Sequence, residues 1–124
     1  MMERICLDFD TALDFLRGEQ TTVEKMNYYA NREEICISSI TLYNLLEAVN
    51  KKDVVISFAN NITILPFDRK AAVLASRISS ELKERKVDPP AESIVVAAVC
   101  IANDAYLYTK KPANFEGIRG LKKV

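Results

Sequence analysis

The sequence predicts an α/β domain: three layers, α/β/α, around a central, mostly parallel sheet of four to five strands. Two observations carry this. Short apolar runs alternate with longer amphipathic ones along the chain, the pattern of strand–helix repeats over a parallel sheet. The short runs are nearly continuous in apolar residues, as expected of strands buried on both faces. The 124 residues, 49% of them hydrophobic and 27% charged, suit a single domain, 1–124, with one core.

Met2 to Phe9 reads as the first strand. Asp10 or Thr11 is placed to cap a short helix carrying Leu13, Phe15 and Leu16, which Arg17 and Gly18 end. Thr21 or Thr22 is placed to cap a second helix through Ala30, with Val23, Met26 and Tyr29 at helical spacing. Ile35 to Ser38 is a short strand. The helix after it, Ser39 to Lys51, carries Leu42, Leu45, Leu46 and Val49 on one face. Asp53 is expected to cap a helix through Asn60, and Ile62 to Leu65 makes a third strand closed by Pro66. Asp68 is expected to cap a long helix to about Lys86, with Val73, Leu74, Ile78 and Leu82 inward, and Pro89 and Pro90 follow its end. Ala91 to Asn103 is nearly all apolar and too long for a strand, so it reads as a helix buried on most sides. Ala105 to Thr109 is a fourth strand, and Gly120 to Val124 a candidate edge strand.

Composition excludes several chemistries. There is no His, so Ser-His-Asp and Cys-His catalysis are ruled out. With only three Gly, there is neither a P-loop nor a dinucleotide fingerprint. Cys6, Cys36 and Cys100 sit among apolar neighbours without C-x-x-C spacing, which predicts buried free thiols in a reducing compartment. Lys+Arg and Asp+Glu both number 17, so no global charge draws the protein to nucleic acid. No apolar stretch reaches membrane-spanning length and no signal-peptide pattern is present, which predicts a cytoplasmic protein. Any catalysis would rest on carboxylates, hydroxyls and a hard metal.

In parallel sheets, ligands bind beyond the carboxyl ends of the strands. Asp8 and Asp10 sit at one such end, Thr41 just past another, and Thr109 to Lys111 at a third. A pocket is expected there, with Thr11, Thr41, Thr109, Lys110 and Lys111 on its rim.

Four segments in order then carry a family resemblance. They are Leu7-Asp8-Phe9-Asp10-Thr11 through Leu16-Arg17-Gly18, Ile37-Ser38-Ser39-Ile40-Thr41-Leu42, Ile94-Val95-Val96-Ala97-Ala98, and Leu107-Tyr108-Thr109 through Asn114-Phe115 and Ile118-Arg119-Gly120-Leu121. Over nearly the whole chain the sequence resembles the PIN domains, and among them the VapC-like toxins of prokaryotic toxin–antitoxin pairs. The resemblance implies endoribonuclease chemistry, in which three or four clustered acids hold Mg²⁺ or Mn²⁺ ions that activate water. It also implies a homodimer, an antitoxin-like protein partner and RNA as substrate, with no membrane role.

This chain departs from the family pattern at the acids. Asp8 fills the first position, but the second, third and fourth are Asn44, Ser93 and Asn114. Asp10 is a candidate second ligand or a helix cap. Glu47 lies one turn beyond Asn44, about 4.5 Å along the helix, and Glu92 precedes Ser93. Both are candidate supports, or alternatively a solvated residue and a helix-dipole partner. Lys110 and Lys111 have three readings: phosphate contacts, an ion pair with Asp8 or Asp10 that replaces the metal, or solvated surface lysines. Tyr28, Tyr29, Tyr43 and Phe58 are candidates for a partner groove or for core packing. Two functions stay open. One is a PIN-domain protein impaired for metal-dependent cleavage, with Mg²⁺ or Mn²⁺ bound weakly or no cofactor at all. The other is an active ribonuclease using Asp8 and Asp10 with Glu47 or Glu92.

Overall fold

A computed structural model describes residues 2–124. In chain order the elements are β1 (Arg4–Leu7), α1 (Phe9–Leu16), α2 (Gln20–Ala30), β2 (Glu34–Ser38), α3 (Ser39–Ala48), α4 (Lys52–Asn60), β3 (Thr63–Leu65), α5 (Arg69–Glu84), α6 (Ala91–Ala102), β4 (Ala105–Tyr108) and β5 (Lys122–Lys123). A 3-10 turn at Pro112–Phe115 links the last two strands. The sheet runs β3-β2-β1-β4-β5 and every pairing is parallel. The predicted α/β/α architecture is therefore observed with five strands.

Alternation along the strands divides the core in two. Ile5, Leu7, Ile35, Ile37 and Tyr108 point to one side, where Ala12, Leu13, Met26, Leu45 and Val55 of α1 to α4 meet them. Cys6, Cys36, Leu65, Ala105 and Leu107 point to the other, against Ala71, Ala75, Ile78 and Leu82 of α5 and Val96 to Cys100 of α6. Because both faces are covered, the central strands β1 and β2 are apolar over Ile5–Leu7 and Ile35–Ile37 and lack the polar alternation of a half-exposed sheet. α6 is buried from Val96 to Cys100 because α5 packs along its outer side.

The three thiols are free and buried. Cys6 and Cys36 are register partners, and Cys6 is held well above the usual thiol range, first by its hydrogen bond with Cys100 and then by burial. Burial pushes Cys36 up to about 12. Thiols held so far above neutrality stay protonated and unreactive.

Several boundaries differ from the sequence reading. β1 stops at Leu7, and Phe9 opens α1. The cap of α1 is Asp8, not Asp10 or Thr11, because Asp8 has extended backbone and accepts from the Thr11 N–H. Glu19 caps α2 by accepting from the Thr22 N–H, so Thr21 and Thr22 lie inside the helix. Asp53 lies in the first turn of α4, which has no side-chain cap. α3 ends at Ala48, since Val49 is extended. Val73 is 54% exposed; it lies about 100° around the helix from Leu74, outside the inward stripe of Ala71, Ala75, Ile78 and Leu82. Asp68 caps α5 as predicted, and Gly18, at φ +77°, ends α1 in a left-handed conformation that side chains resist.

Leu107 is fully buried at the meeting of β4 with α6. Leu107→Ala should destabilise the fold by about 2–5 kcal/mol, whereas Val73→Ala should change it by about 0.5 kcal/mol or less. Urea denaturation of both variants measures this.

Candidate functional site

The site forms where β1 and β4 end side by side. Leu7 is paired with Tyr108, so the next residues, Asp8 and Thr109, emerge together. Asp8 is only 7% exposed. One of its oxygens, Oδ1, accepts the Thr11 N–H at 3.0 Å and so starts α1. The other, Oδ2, accepts from the Thr109 hydroxyl. Thr109 Oγ1 in turn accepts the Lys111 backbone N–H at 3.0 Å. A similar device ends β2: Ser38 Oγ accepts the Thr41 N–H at 2.9 Å and starts α3.

Asp8, Phe9, Asp10, Glu92, Ser93 and Asn114 line one cavity of about 220 Å³, with Pro90, Val96 and Phe115 as its remaining wall. Residues from α1, α6 and the 3-10 turn thus meet over the end of β1. Asn44 stands beside the cavity and donates from Nδ2 to Glu92 Oε1 at 3.1 Å, joining α3 to α6. Glu47 is exposed on α3 and does not line the cavity. Thr11 and Thr41, expected on the rim, are fully buried instead, because each lies in the first turn of a helix whose cap turns it inward. Thr109 is the rim residue that reaches Asp8.

The two lysines separate. Lys111 Nζ lies 2.9 Å from Asp10 Oδ2, and that bond, with the Asp10 charge, raises the ammonium above its ordinary pKa. Lys110 turns away to Asp14 at 3.0 Å and Glu19 at 3.3 Å. Glu19 is pulled down to about 2, first by the Thr22 backbone N–H, then by the Thr22 hydroxyl, with Lys110 adding to both. This second network pins the α1–α2 connection to the end of β4. The sequence contained one signal for these partners: Asp8 and Thr109 each follow an apolar strand run. Nothing local marked Asp14 and Glu19 as the partners of Lys110, some 90 residues away.

Among the described residues, no group of three or more His, Cys, Asp or Glu side chains is disposed to hold an ion. Asp8 already accepts on both oxygens, Asp10 is paired with Lys111, Glu92 is bonded to Asn44, and Ser93 and Asn114 contribute no charge.

A second and larger hollow, about 690 Å³, opens between α1, α2, α4 and the start of β3. Phe15, Leu16, Met26, Phe58 and Ile62 line it, and Phe15 and Phe58 meet with ring centroids 5.6 Å apart. Of the aromatic candidates, Phe58 belongs to this groove. Tyr28 and Tyr29 line a separate hollow beside Arg32 and Val124, and Tyr43 is 60% exposed on α3. No described helix is long and apolar enough to cross a membrane.

No family profile and no curated relative matches the sequence. Solved structures do match. A chain of the DNA-bound VapBC structure from Salmonella typhimurium superposes with a TM-score of 0.85 at 24% identity, over 99% of this chain and 98% of that one. A chain of VapBC2 from Rickettsia felis, bound to a fragment of promoter DNA, gives 0.84 at 21% identity over 98% and 97%. A chain of a toxin–antitoxin complex from Klebsiella pneumoniae gives 0.75 at 15% identity over 94% of each. The likeness is one of fold, and it is the PIN-like, VapC-like fold expected from the sequence.

Asp8→Ala should cost about 1–3 kcal/mol, because it removes the α1 cap and leaves the Thr11 N–H and Thr109 hydroxyl unpaired. Asp8→Asn keeps an acceptor oxygen for Thr11 and should cost less; urea melts of the two variants decide. Glu19 titrates lower in the folded chain than its ordinary 4.5. Its stabilisation is therefore complete above that value and lost as pH falls toward about 2. Thermal melts between these limits should show a smaller loss in Glu19→Gln than in the unchanged protein.

Proposed function

We propose that this chain is the toxin-fold member of a two-protein, toxin–antitoxin-type pair, in which the PIN-like pocket is impaired for metal-dependent RNA cleavage. The observation that carries this reading is the state of Asp8 and Asp10. Asp8 accepts from two neutral donors, Thr11 and Thr109, and Asp10 is paired with a lysine of the chain itself. The neutral Ser93 and Asn114 stand where further charge would be needed to offset a divalent ion. In this reading any Mg²⁺ or Mn²⁺ binds weakly, and binding to a partner is the main activity.

The partner is an antitoxin-like protein that covers the groove between α1, α2 and α4. The groove's largely apolar lining, which includes the Phe15–Phe58 pair, suits the apolar face of a helix or an extended segment. That a similar chain occurs in a toxin–antitoxin complex supports a partner of this class. The protein works in the cytoplasm, as a homodimer in the resting complex.

One observation favours the alternative of an active ribonuclease: Asp8, Asp10 and Glu92 do line the same cavity. Glu92 would then be the supporting acid, with Glu47 outside the site. In that case RNA is the substrate and a Mg²⁺ or Mn²⁺ ion supplies the activated water.

Mn²⁺ titration by calorimetry, on the unchanged protein and Asp8→Asn, separates the two, together with RNA cleavage with and without chelator. The proposal expects no Asp8-dependent binding up to about 5 mM and no chelator-sensitive cleavage. Asp8-dependent binding at roughly micromolar affinity, with cleavage abolished by chelation, would establish the active enzyme instead.

A further inference from the structure

The number of acids alone does not decide whether this pocket holds a metal. Mg²⁺ is commonly held by only one or two carboxylates, with water completing the shell. Asp8 and Asp10 both line the cavity. A carboxylate has about four acceptor positions, so the bonds from Thr11 and Thr109 leave Asp8 able to accept more. What distinguishes this pocket is a cation already bonded to one of its acids.

Lys111 is attached to the site at two points. Its backbone N–H donates to Thr109 Oγ1 at 3.0 Å, and that hydroxyl donates to Asp8 Oδ2. Its ammonium lies 2.9 Å from Asp10 Oδ2. The backbone anchor thus ties the residue to one acid while the side chain covers the other. Lys110 takes no part, since Asp14 and Glu19 hold it elsewhere. We infer that the Lys111 ammonium, reaching Asp10 from outside the cavity lining, stands on that carboxylate in place of a divalent ion and keeps such ions out. The inference rests on the reading of the pocket as impaired for metal chemistry, and it names the residue responsible.

The strength of the effect follows from charge. The Lys111 and Asp10 side chains are 59% and 41% exposed, so as a fold-stabilising pair they contribute little. Toward an incoming ion the balance is different. A unit positive charge about 4 Å from a divalent ion weakens its binding roughly thirtyfold even at the dielectric of water. Occupation of Asp10 adds a competitor at the ligand itself.

The test is Mn²⁺ calorimetry on the full chain, comparing the unchanged protein with Lys111→Met, Lys111→Gln, Lys111→Arg and the double variant Lys111→Met/Asp10→Asn. Circular dichroism melts confirm that each is folded; substitution at so exposed a lysine should leave the midpoint nearly unmoved. The inference expects Lys111→Met and Lys111→Gln to bind Mn²⁺ at least about tenfold more tightly than the unchanged protein. Lys111→Arg, which keeps the charge, should show no gain, and the double variant should lose it. Failure of folded Lys111→Met and Lys111→Gln to bind better than the unchanged protein overturns the inference. If none of the proteins binds, the impaired-pocket reading stands and only the role of Lys111 falls. If the unchanged protein binds tightly through Asp8, that reading falls too.

Discussion

Asp8 ends β1, starts α1 and holds the end of β4, all through one nearly buried carboxylate. A buried charge is tolerated only when its oxygens are satisfied. Here the partners are one of the free N–H groups in the first turn of a helix and a hydroxyl delivered just past the neighbouring strand. The geometry of the pocket follows from that bond pattern. Because Asp8 caps α1, Phe9 and Asp10 enter the first turn and face the cavity. Because Thr109 is drawn to Asp8, the chain after β4 turns so that Lys111 meets Asp10 while Lys110 meets Asp14 and Glu19.

The rest of the fold supplies the platform. β1 is the central strand, flanked by β2 and β4, and its alternating side chains join both halves of the core. Parallel pairing brings every strand's carboxyl end to the same edge of the sheet, which is why residues far apart in sequence converge there. α6 closes the cavity from the side, with Glu92 and Ser93 in its first turn, and is itself fixed by α5 and by the apolar floor of the sheet.

The electrostatics of the edge are those of a closed set of pairs. Asp10, Asp14 and Glu19 each have a lysine partner, Glu92 has an amide, and Asp8 has two neutral donors. A pocket that gathers acids to bind a metal leaves them facing one another, which raises mutual repulsion until the ion arrives. This edge has little such unrelieved repulsion. Away from this edge, an apolar groove opens between α1, α2 and α4.

The sequence by itself determined the layer architecture, the order of elements and the place of the pocket. Those depend on hydrophobic periodicity and helix-breaking residues, which are local properties: the apolar strands Ile5 to Leu7 and Ile35 to Ile37, the cap at Asp68, and the continuous apolar run of α6 were all legible. It also brought Asp8, Asp10, Ser93 and Asn114 to one pocket through a family resemblance, and they do line one cavity. The tertiary structure decided who pairs with whom. Asp8 rather than Asp10 caps α1, because the cap depends on where β1's pairing with β4 stops. Thr11 and Thr41 are buried and Glu47 is exposed, because single-residue steps of about 100° around a helix turn neighbouring side chains to the core or the solvent. The partition of the two lysines between two acid clusters is set by contacts across about 90 to 100 residues of chain. Periodicity carries no record of such contacts, since they exist only once the sheet has aligned its strand ends.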